Sequence, residues 1–265
     1  MQLNVVILAA GQGSRMQSSL PKVLHPLAGT PLVGHVINTA KQLKAAAIHL
    51  IVGHGAEAGK TQLAAEEIHF DYQAEQLGTG HAVQQAMPSI EKTSAENSLV
   101  LILYGDVPLI QANTLQELLS QVSDTSLGLL TVNLENPTGY GRIVRNSDSQ
   151  ITAIVEQKDA NPEELTINEV NTGIMALTSA NLAKWLPQLS NQNAQGEYYL
   201  TDLIALAANE GVSINSVQPA TSQEVEGVNT RSQLAALERH YQLQQAEALM
   251  AQGVTLADPK RLEVR

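Results

Sequence analysis

The sequence predicts an α/β fold with helices on both faces of a doubly wound, parallel sheet. Three features point to it. Residues 5–10 (Val-Val-Ile-Leu-Ala-Ala) are an apolar run that empties into Gly11 and Gly13, as a buried strand does when it ends in a glycine-rich loop. Apolar runs at 48–52 and 68–72 alternate with helically periodic stretches, the order of a parallel sheet joined by right-handed crossovers. Residues 98–104 form another continuous apolar run, which ends in a polar tip at Gly105-Asp106.

The elements follow in order. Within 31–43, Val33, Val36, Ile37, Ala40 and Leu43 recur on one helical face. The strand at 48–52 closes on Gly53-His54-Gly55, then a helix at about 57–65 and a short strand at 68–72 follow. Gln73-Ala-Glu-Gln-Leu-Gly-Thr-Gly80 leads into a helix from about 80 to 86. After Thr125 the texture turns β-rich: a strand at 127–134, a turn-rich link at 136–143, a hairpin of 143–145 with 151–155, and a strand at 167–177. A short helix at 181–189, a helix from Asp202 to Gly211, a strand at 213–218 and a long helix from Thr230 to about Ala251, stopped by Gly253, complete the chain. Asn229 reads as the N-terminal cap of that long helix.

The loops carry the chemistry. Glycines at 11 and 13 let backbone N–H groups approach anionic oxygens, and Arg15 and Lys22 add the charge a polyphosphate requires. The loop is neither of two familiar phosphate binders. Met16 stands where a dinucleotide fingerprint needs its third glycine, and no Gly-Lys-Ser/Thr triplet follows. Taken alone, such a Gly-x-Gly is equally an ordinary strand-to-helix turn. Gln73 and Gln76 can pair bidentately with a nucleobase edge, and Gly78 and Thr79 permit close backbone approach, although Gly-Thr-Gly by itself also suits a helix entry. Both loops fall at carboxyl ends of strands, where open α/β sheets bind ligands. Asp106 ends a third strand and offers a hard oxygen to a metal bridging phosphates; alone it could equally be a turn residue before Pro108. Gly141, Glu156 and Asn171 fall on neighbouring β-elements, and a carboxylate, an amide and an open glycine backbone suit a hydroxyl-rich sugar. Singly, each is as readily a turn or surface residue.

Composition bounds the rest. A net charge of −11 argues against a general nucleic-acid or anionic-membrane surface, so a phosphate site has to be local, built from a few cations, N–H groups and a divalent ion such as Mg2+. No run approaches the ~20 apolar residues of a membrane span, and no secretory signal is visible, so a cytoplasmic address is expected. Zero cysteines exclude disulfides and thiolate metal sites. The seven histidines lack His-Glu-x-x-His spacing and no Gly-x-Ser-x-Gly occurs, which leaves metallohydrolase and serine-hydrolase chemistry unsupported.

With Leu20-Pro-Lys-Val-Leu24 attached, the first loop resembles the signature loop of the sugar-nucleotide pyrophosphorylases, Arg15 and Lys22 holding the arginine and lysine positions. From Val5 to Arg265 the sequence resembles the uridyltransferase part of the bacterial bifunctional N-acetylglucosamine-1-phosphate uridyltransferase/glucosamine-1-phosphate N-acetyltransferase family. The likeness is nearly word for word in Leu77-Gly-Thr-Gly-His-Ala82, Leu103-Tyr-Gly-Asp-Val-Pro108, Pro137-Thr-Gly-Tyr-Gly-Arg-Ile143 and Glu224-Val-Glu-Gly-Val-Asn229. It implies a Rossmann-like nucleotidyltransferase (nucleotide-diphospho-sugar transferase) fold with a mixed, mainly parallel sheet, a small β-rich sugar-binding lobe and a long C-terminal helix. The implied reaction converts UTP and N-acetylglucosamine-1-phosphate to UDP-N-acetylglucosamine and pyrophosphate, for peptidoglycan and lipopolysaccharide precursors.

Residue by residue, the resemblance makes Arg15, Lys22 and Asp106 catalytic. It puts Leu8, Ala9, Ala10, Gly11, Gly13, Lys22, Gln73, Gln76, Gly78 and Thr79 on the nucleotide. Tyr104, Gly105, Gly141, Glu156, Asn171, Tyr198 and Asn229 fall on the sugar side, and Asp106 and Asn229 on Mg2+. The implied division is a pyrophosphorylase domain at 1–229, a connecting helix at 230–252 and, at 253–265, the start of a left-handed β-helix. In the family that β-helix carries acetyl transfer and the homotrimer contacts, so only one activity is expected here and the oligomeric state stays open. Two alternatives stand beside this reading: another sugar-1-phosphate specificity, and a non-catalytic regulatory module of the same fold.

Overall fold

The computed structural model describes residues 1–53, 56–93 and 98–265. Its first half contains β1 (Leu3–Leu8), a small hairpin of β2 (Pro26–Leu27) and β3 (Thr30–Pro31), α1 (Leu32–Gln42), β4 (Ala47–Val52), α2 (Ala56–Gln62), β5 (His69–Tyr72), α3 (Thr79–Thr93) and β6 (Leu99–Tyr104). The second half contains α4 (Ala112–Ser120), β7 (Ser126–Asn133), β8 (Arg142–Arg145), β9 (Ile151–Val155), β10 (Glu169–Thr178), α5 (Ser179–Trp185), α6 (Asp202–Asn209), β11 (Ser213–Val217) and α7 (Arg231–Ala251). Of the Gly53-His54-Gly55 closure, His54 and Gly55 lie outside the described residues.

The main sheet runs β11-β7-β10-β6-β1-β4-β5. The β5-β4-β1-β6 part is parallel, with Val5 opposite both Ile48 and Leu101. β10 is antiparallel to β6 and β7, while β11 is parallel to β7, so the sheet is mixed and mainly parallel. The β8–β9 hairpin joins only through β10, where Val170 pairs with Arg142, and forms the small β-rich lobe.

Period-two alternation explains why the central strands read as unbroken apolar runs. Val5, Ile7, Leu101 and Leu103 face one core with residues of α1 and α4; Val6, Leu8, Val100 and Ile102 face a second core with residues of α3, α5 and α6. As the periodicity of α1 predicts, Val33, Val36, Ile37 and Ala40 are fully buried and Leu43 packs against the same core. A third cluster, including Met16, Leu32, Leu109, Val228 and Leu237, fastens the start of α7 onto the first loop. That cluster positions the site.

Several expectations are corrected. The helix α4 is absent from the sequence reading because only Leu115 and Leu118 are buried on its short face. The helix expected to end near 86 continues through Pro88 to Thr93, since its buried face of Ala82, Val83 and Ala86 extends to Ile90. The helix expected at 181–189 begins at Ser179, capped by the Thr178 side chain, and tightens into a 3-10 turn at Leu186–Gln188, where Pro187 cannot donate. The cap of α7 is Thr230: its side chain accepts from Gln233 N–H, and Gln233 reaches back to the Thr230 N–H, forming a capping box. Among the described residues, no helix is long and apolar enough to cross a membrane.

Candidate active site

The carboxyl ends of four parallel strands lie on one edge and are stitched together there. Ala9 N–H donates to Ile51 C=O at 3.0 Å, Gly105 N–H to Leu8 C=O at 2.9 Å and Gln73 N–H to Val52 C=O at 2.8 Å. Leu8, Ala9, Ala10, Gln73, Tyr104 and Gly105 are thereby neighbours. Beyond Ala10 the chain passes Gly13, whose φ of 61° is left-handed. A Cβ at Gly13 would lie 2.5 Å from Cβ of Lys22, so the glycine is what lets Lys22 pass. At Gly11 a Cβ would meet nothing within 4 Å; the space above the loop is open. Arg15 is exposed on the 3-10 turn Ser14–Met16, and no ion pair engages it among the described residues.

Lys22 is the hub of the cluster. Its ammonium donates to Asp106 Oδ2 and, at 3.0 Å, to Asn229 Oδ1. Both Lys22 and Asp106 side chains are only 14% exposed, so the pair is shielded from water yet reachable from the open side. Asn229 presents its side chain here because Thr230, one residue on, takes the capping duty; Val228 N–H donates to Asp106 C=O at 2.9 Å and fixes the register. Two hard oxygens therefore converge on one cation, here the lysine ammonium. A carboxylate plus an amide oxygen suits Mg2+, which keeps waters and takes phosphate oxygens for its remaining positions. Among the described residues no group of three or more His, Cys, Asp or Glu is arranged to hold a metal ion.

The second loop is held from below and behind. Gln73 is buried, and its Nε2 lies 3.1 Å from Gly78 C=O. Gln76 is exposed, and its side chain reaches across to donate to Ala10 C=O, joining the two loops. Gly78 has a φ of +110°, and Tyr198 backbone atoms fill the space a Cβ would take. Tyr198 N–H donates to Leu77 C=O and Gly80 N–H to Tyr198 C=O, both at 2.8 Å, while Thr79 Oγ1 accepts from Leu200 N–H at 3.1 Å. Tyr198, expected on the sugar side, meets the 77–80 loop through its backbone.

Gly141, Glu156 and Asn171 do come together. Asn171 N–H donates to Gly141 C=O at 2.9 Å, and a Cβ on Gly141 would lie 3.4 Å from either Glu156 oxygen. Asn171 Oδ1 accepts from Gly173 N–H at 2.9 Å. Gly173, with φ +86°, lies so close to the Tyr104 ring that a Cβ would fall 2.4 Å from it. Burial holds the Tyr104 phenol far above its ordinary range, aided by the charges of Glu156 and Asp106. Burial likewise raises the Glu156 carboxyl; Thr201 Oγ1 opposes this by donating to it at 3.1 Å, and Asp159, Asp202 and Glu197 add to the rise.

Three participants escaped the sequence reading. Burial raises the Tyr140 phenol, and the charges of Glu226 and Asp106 add to the rise. Gly227 faces Asp106 Oδ2, a Cβ there lying 3.6 Å away. Thr230 carries the cap, and its Thr-x-x-Gln spacing to Gln233 was the available signal. A separate cavity of about 750 Å³ lies between α1, the segment after Asp106 and α7, lined by His35, Gln111 and Tyr241 among others; none of the expected site residues lines it.

The model of the MobA-like NTP transferase domain matches residues 5–251. The "Bifunctional protein GlmU" of Pseudomonas putida strain GB-1 is 58% identical over 265 residues, covering 100% of this chain and 57% of that protein. Its counterpart in Pseudomonas aeruginosa strain LESB58 is 59% identical over the same span. The chain thus spans little more than half the length of the curated relatives it matches. Among solved structures, one described as a glucose-1-phosphate thymidylyltransferase from Bacillus anthracis superposes with a TM-score of 0.67 at 18% identity, covering 97% of this chain and 98% of that one. A nucleotidyl transferase from Methanothermobacter superposes with a TM-score of 0.64 at 17% identity, covering 91% and 97%. At such identities these neighbours speak to the fold alone. The family model spans nearly the whole chain, over the same loops that carry the cluster, and the protein belongs to the MobA-like NTP transferase domain family.

Proposed function

We propose that this chain transfers a uridylyl group from UTP to N-acetylglucosamine-1-phosphate, releasing pyrophosphate and forming UDP-N-acetylglucosamine. The observation that carries the reading is the meeting, at one sheet edge, of the glycine loop with Lys22, the Asp106–Asn229 oxygen pair, and the Gly141–Glu156–Asn171 trio. The high identity to the GlmU proteins supports the same choice of substrates.

In this reading an oxygen of the sugar phosphate attacks the α-phosphorus. A new P–O bond forms as the bond to pyrophosphate breaks, with no enzyme-bound intermediate. Lys22 neutralises the α-phosphate, and Arg15, free of protein partners among the described residues, reaches the leaving pyrophosphate. Backbone N–H groups around Gly11 and Gly13 hold the triphosphate. Gln76, at the edge of the second loop, meets the uracil, and Gln73 fixes that loop from beneath. Glu156 and Asn171 orient the sugar ring, while the Gly141 backbone leaves room for the acetamido group. Asp106 and Asn229 would hold Mg2+, which supplies charge neutralisation at the phosphate oxygens.

The test is pyrophosphate release with UTP, Mg2+ and either N-acetylglucosamine-1-phosphate or glucose-1-phosphate. Release with the acetylated sugar alone is expected. Preference for glucose-1-phosphate would overturn the roles of Glu156 and Asn171, and no release with either would overturn the activity.

A further inference from the structure

Behind the second loop, Gln73 and His81 form a lock whose chemistry depends on the proton count of the imidazole. Gln73 is 4% exposed, and its Nε2 lies 3.1 Å from both Gly78 C=O and His81 Nδ1. A carbonyl only accepts, so the Gln73 atom there is the amide nitrogen; its second hydrogen points at Nδ1, which has to carry a lone pair. At the other ring edge, Gln85 Nε2 is fixed as a donor by its 3.0 Å bond to His81 C=O and lies 3.3 Å from His81 Nε2. An imidazolium donates at both nitrogens and would face an amide donor on each side. A neutral ring satisfies the closer contact, to Gln73. The Tyr198 ring also lies near the imidazole, with centroids 6.5 Å apart, and no ion pair engages His81 among the described residues.

We propose that His81, in its neutral form, is a positioning residue for nucleotide recognition. By accepting from Gln73 it holds the Gly78 turn, and with it Gln76 and Thr79, in the conformation that receives the base. Tyr198 backbone atoms fill the space beside Gly78 and bond both Leu77 and Gly80, which limits movement of the turn on that side. Removing the acceptor leaves a buried amide N–H unpaired, and the amide relieves this only by rotating away from Gly78. His81 touches no reacting atom. Its effect falls on nucleotide affinity rather than on the chemical step.

The inference rests on the uridylyltransferase reading, and three proteins test it: the native chain, His81→Asn, which offers a non-titrating carbonyl oxygen near the Nδ1 position, and His81→Phe, which offers none. The kcat and the KM for each substrate are measured for all three. His81→Asn should keep a KM for UTP within about twofold of native, because its side-chain oxygen still accepts from Gln73. His81→Phe should show a KM for UTP about tenfold higher, the scale of one lost buried hydrogen bond, with kcat and the KM for the sugar phosphate within about twofold of native.

A KM for UTP raised as much in His81→Asn as the lost bond would raise it in His81→Phe would overturn the proposal, as would an unchanged KM for UTP in a folded His81→Phe. If His81→Phe does not fold, the His81→Asn comparison decides alone. A native chain that turns over UTP while its variants keep its KM removes this inference only; a native chain that cannot use UTP removes the uridylyltransferase reading and this inference with it.

Discussion

Lys22 and Asn229, 207 residues apart in the chain, meet through a 3.0 Å hydrogen bond in which the ammonium donates to the side-chain oxygen. The same ammonium donates to Asp106, so the first loop, the end of β6 and the start of α7 close on one cationic point. The bond ties the first loop to the segment that leads into α7.

Removing either oxygen should therefore damage chemistry more than folding. Asp106→Ala is expected to lower kcat by about 10²-fold or more, the loss typical when one group aimed at developing charge is removed, with Tm changed by only a few degrees. Asn229→Ala should weaken Mg2+ dependence in the same direction but less, since an amide oxygen carries no net charge. Chelation of the metal should stop turnover and added Mg2+ restore it. Magnesium titration of pyrophosphate release checks all three statements.

The two loop glycines should behave oppositely. Gly13→Ala puts a Cβ 2.5 Å from Cβ of Lys22 at a left-handed φ, so it should destabilise the fold by about 1 kcal/mol or more and displace Lys22, lowering kcat. Gly11→Ala meets no protein atom within 4 Å, so it should leave unfolding unchanged while raising the KM for the nucleotide. Chemical denaturation and steady-state kinetics on the two variants separate the effects.

Thr230→Ala removes the side chain that caps α7 and should cost about 1 kcal/mol of stability, with Thr230→Ser recovering most of it. Because Asn229 N–H also donates to Gln233 Oε1, at 2.9 Å, the alanine variant should lose kcat beyond what its stability explains. Urea unfolding, with activity measured well below the transition, tests both parts.

Glu156 gives a pH-dependent prediction with the sign reversed from that of an ordinary salt-bridged carboxylate. Burial raises its folded-state pKa above the unfolded value, so the native state holds the proton more tightly. Its ionisation therefore lowers stability as pH rises from the unfolded carboxylate range through the raised folded value. Glu156→Gln keeps an acceptor for Thr201, so it should raise Tm at neutral pH, with the gain shrinking below the unfolded pKa of about 4.3. The same variant should raise the KM for the sugar phosphate. Thermal unfolding at neutral and acidic pH, beside kinetics at neutral pH, reads out both.

The site was legible where a local pattern and a strand end coincided. Gly11, Gly13 and Asp106 could be selected because apolar runs end at them, and the structure stitches the ends of β1, β4, β5 and β6 into one edge. The helix α4 was illegible because two buried leucines are too few to set a period. Asn229 was misread as a cap because capping is decided by backbone geometry at one residue; Thr230, with the extended φ and ψ and the right partner in Gln233, takes it.

By itself, the sequence determined the alternation of buried strands and amphipathic helices, the loops that could bear phosphate and metal chemistry, and an acidic surface unsuited to polyanions. These follow from side-chain period and residue type, which are local. Only the tertiary structure decided that Lys22 bridges Asp106 and Asn229, that Gln73 supports its loop from beneath, and that Tyr198 clamps that loop. Such partnerships join residues far apart in the chain, and they are set by how the sheet edge, the β-rich lobe and α7 pack together to bury their apolar faces.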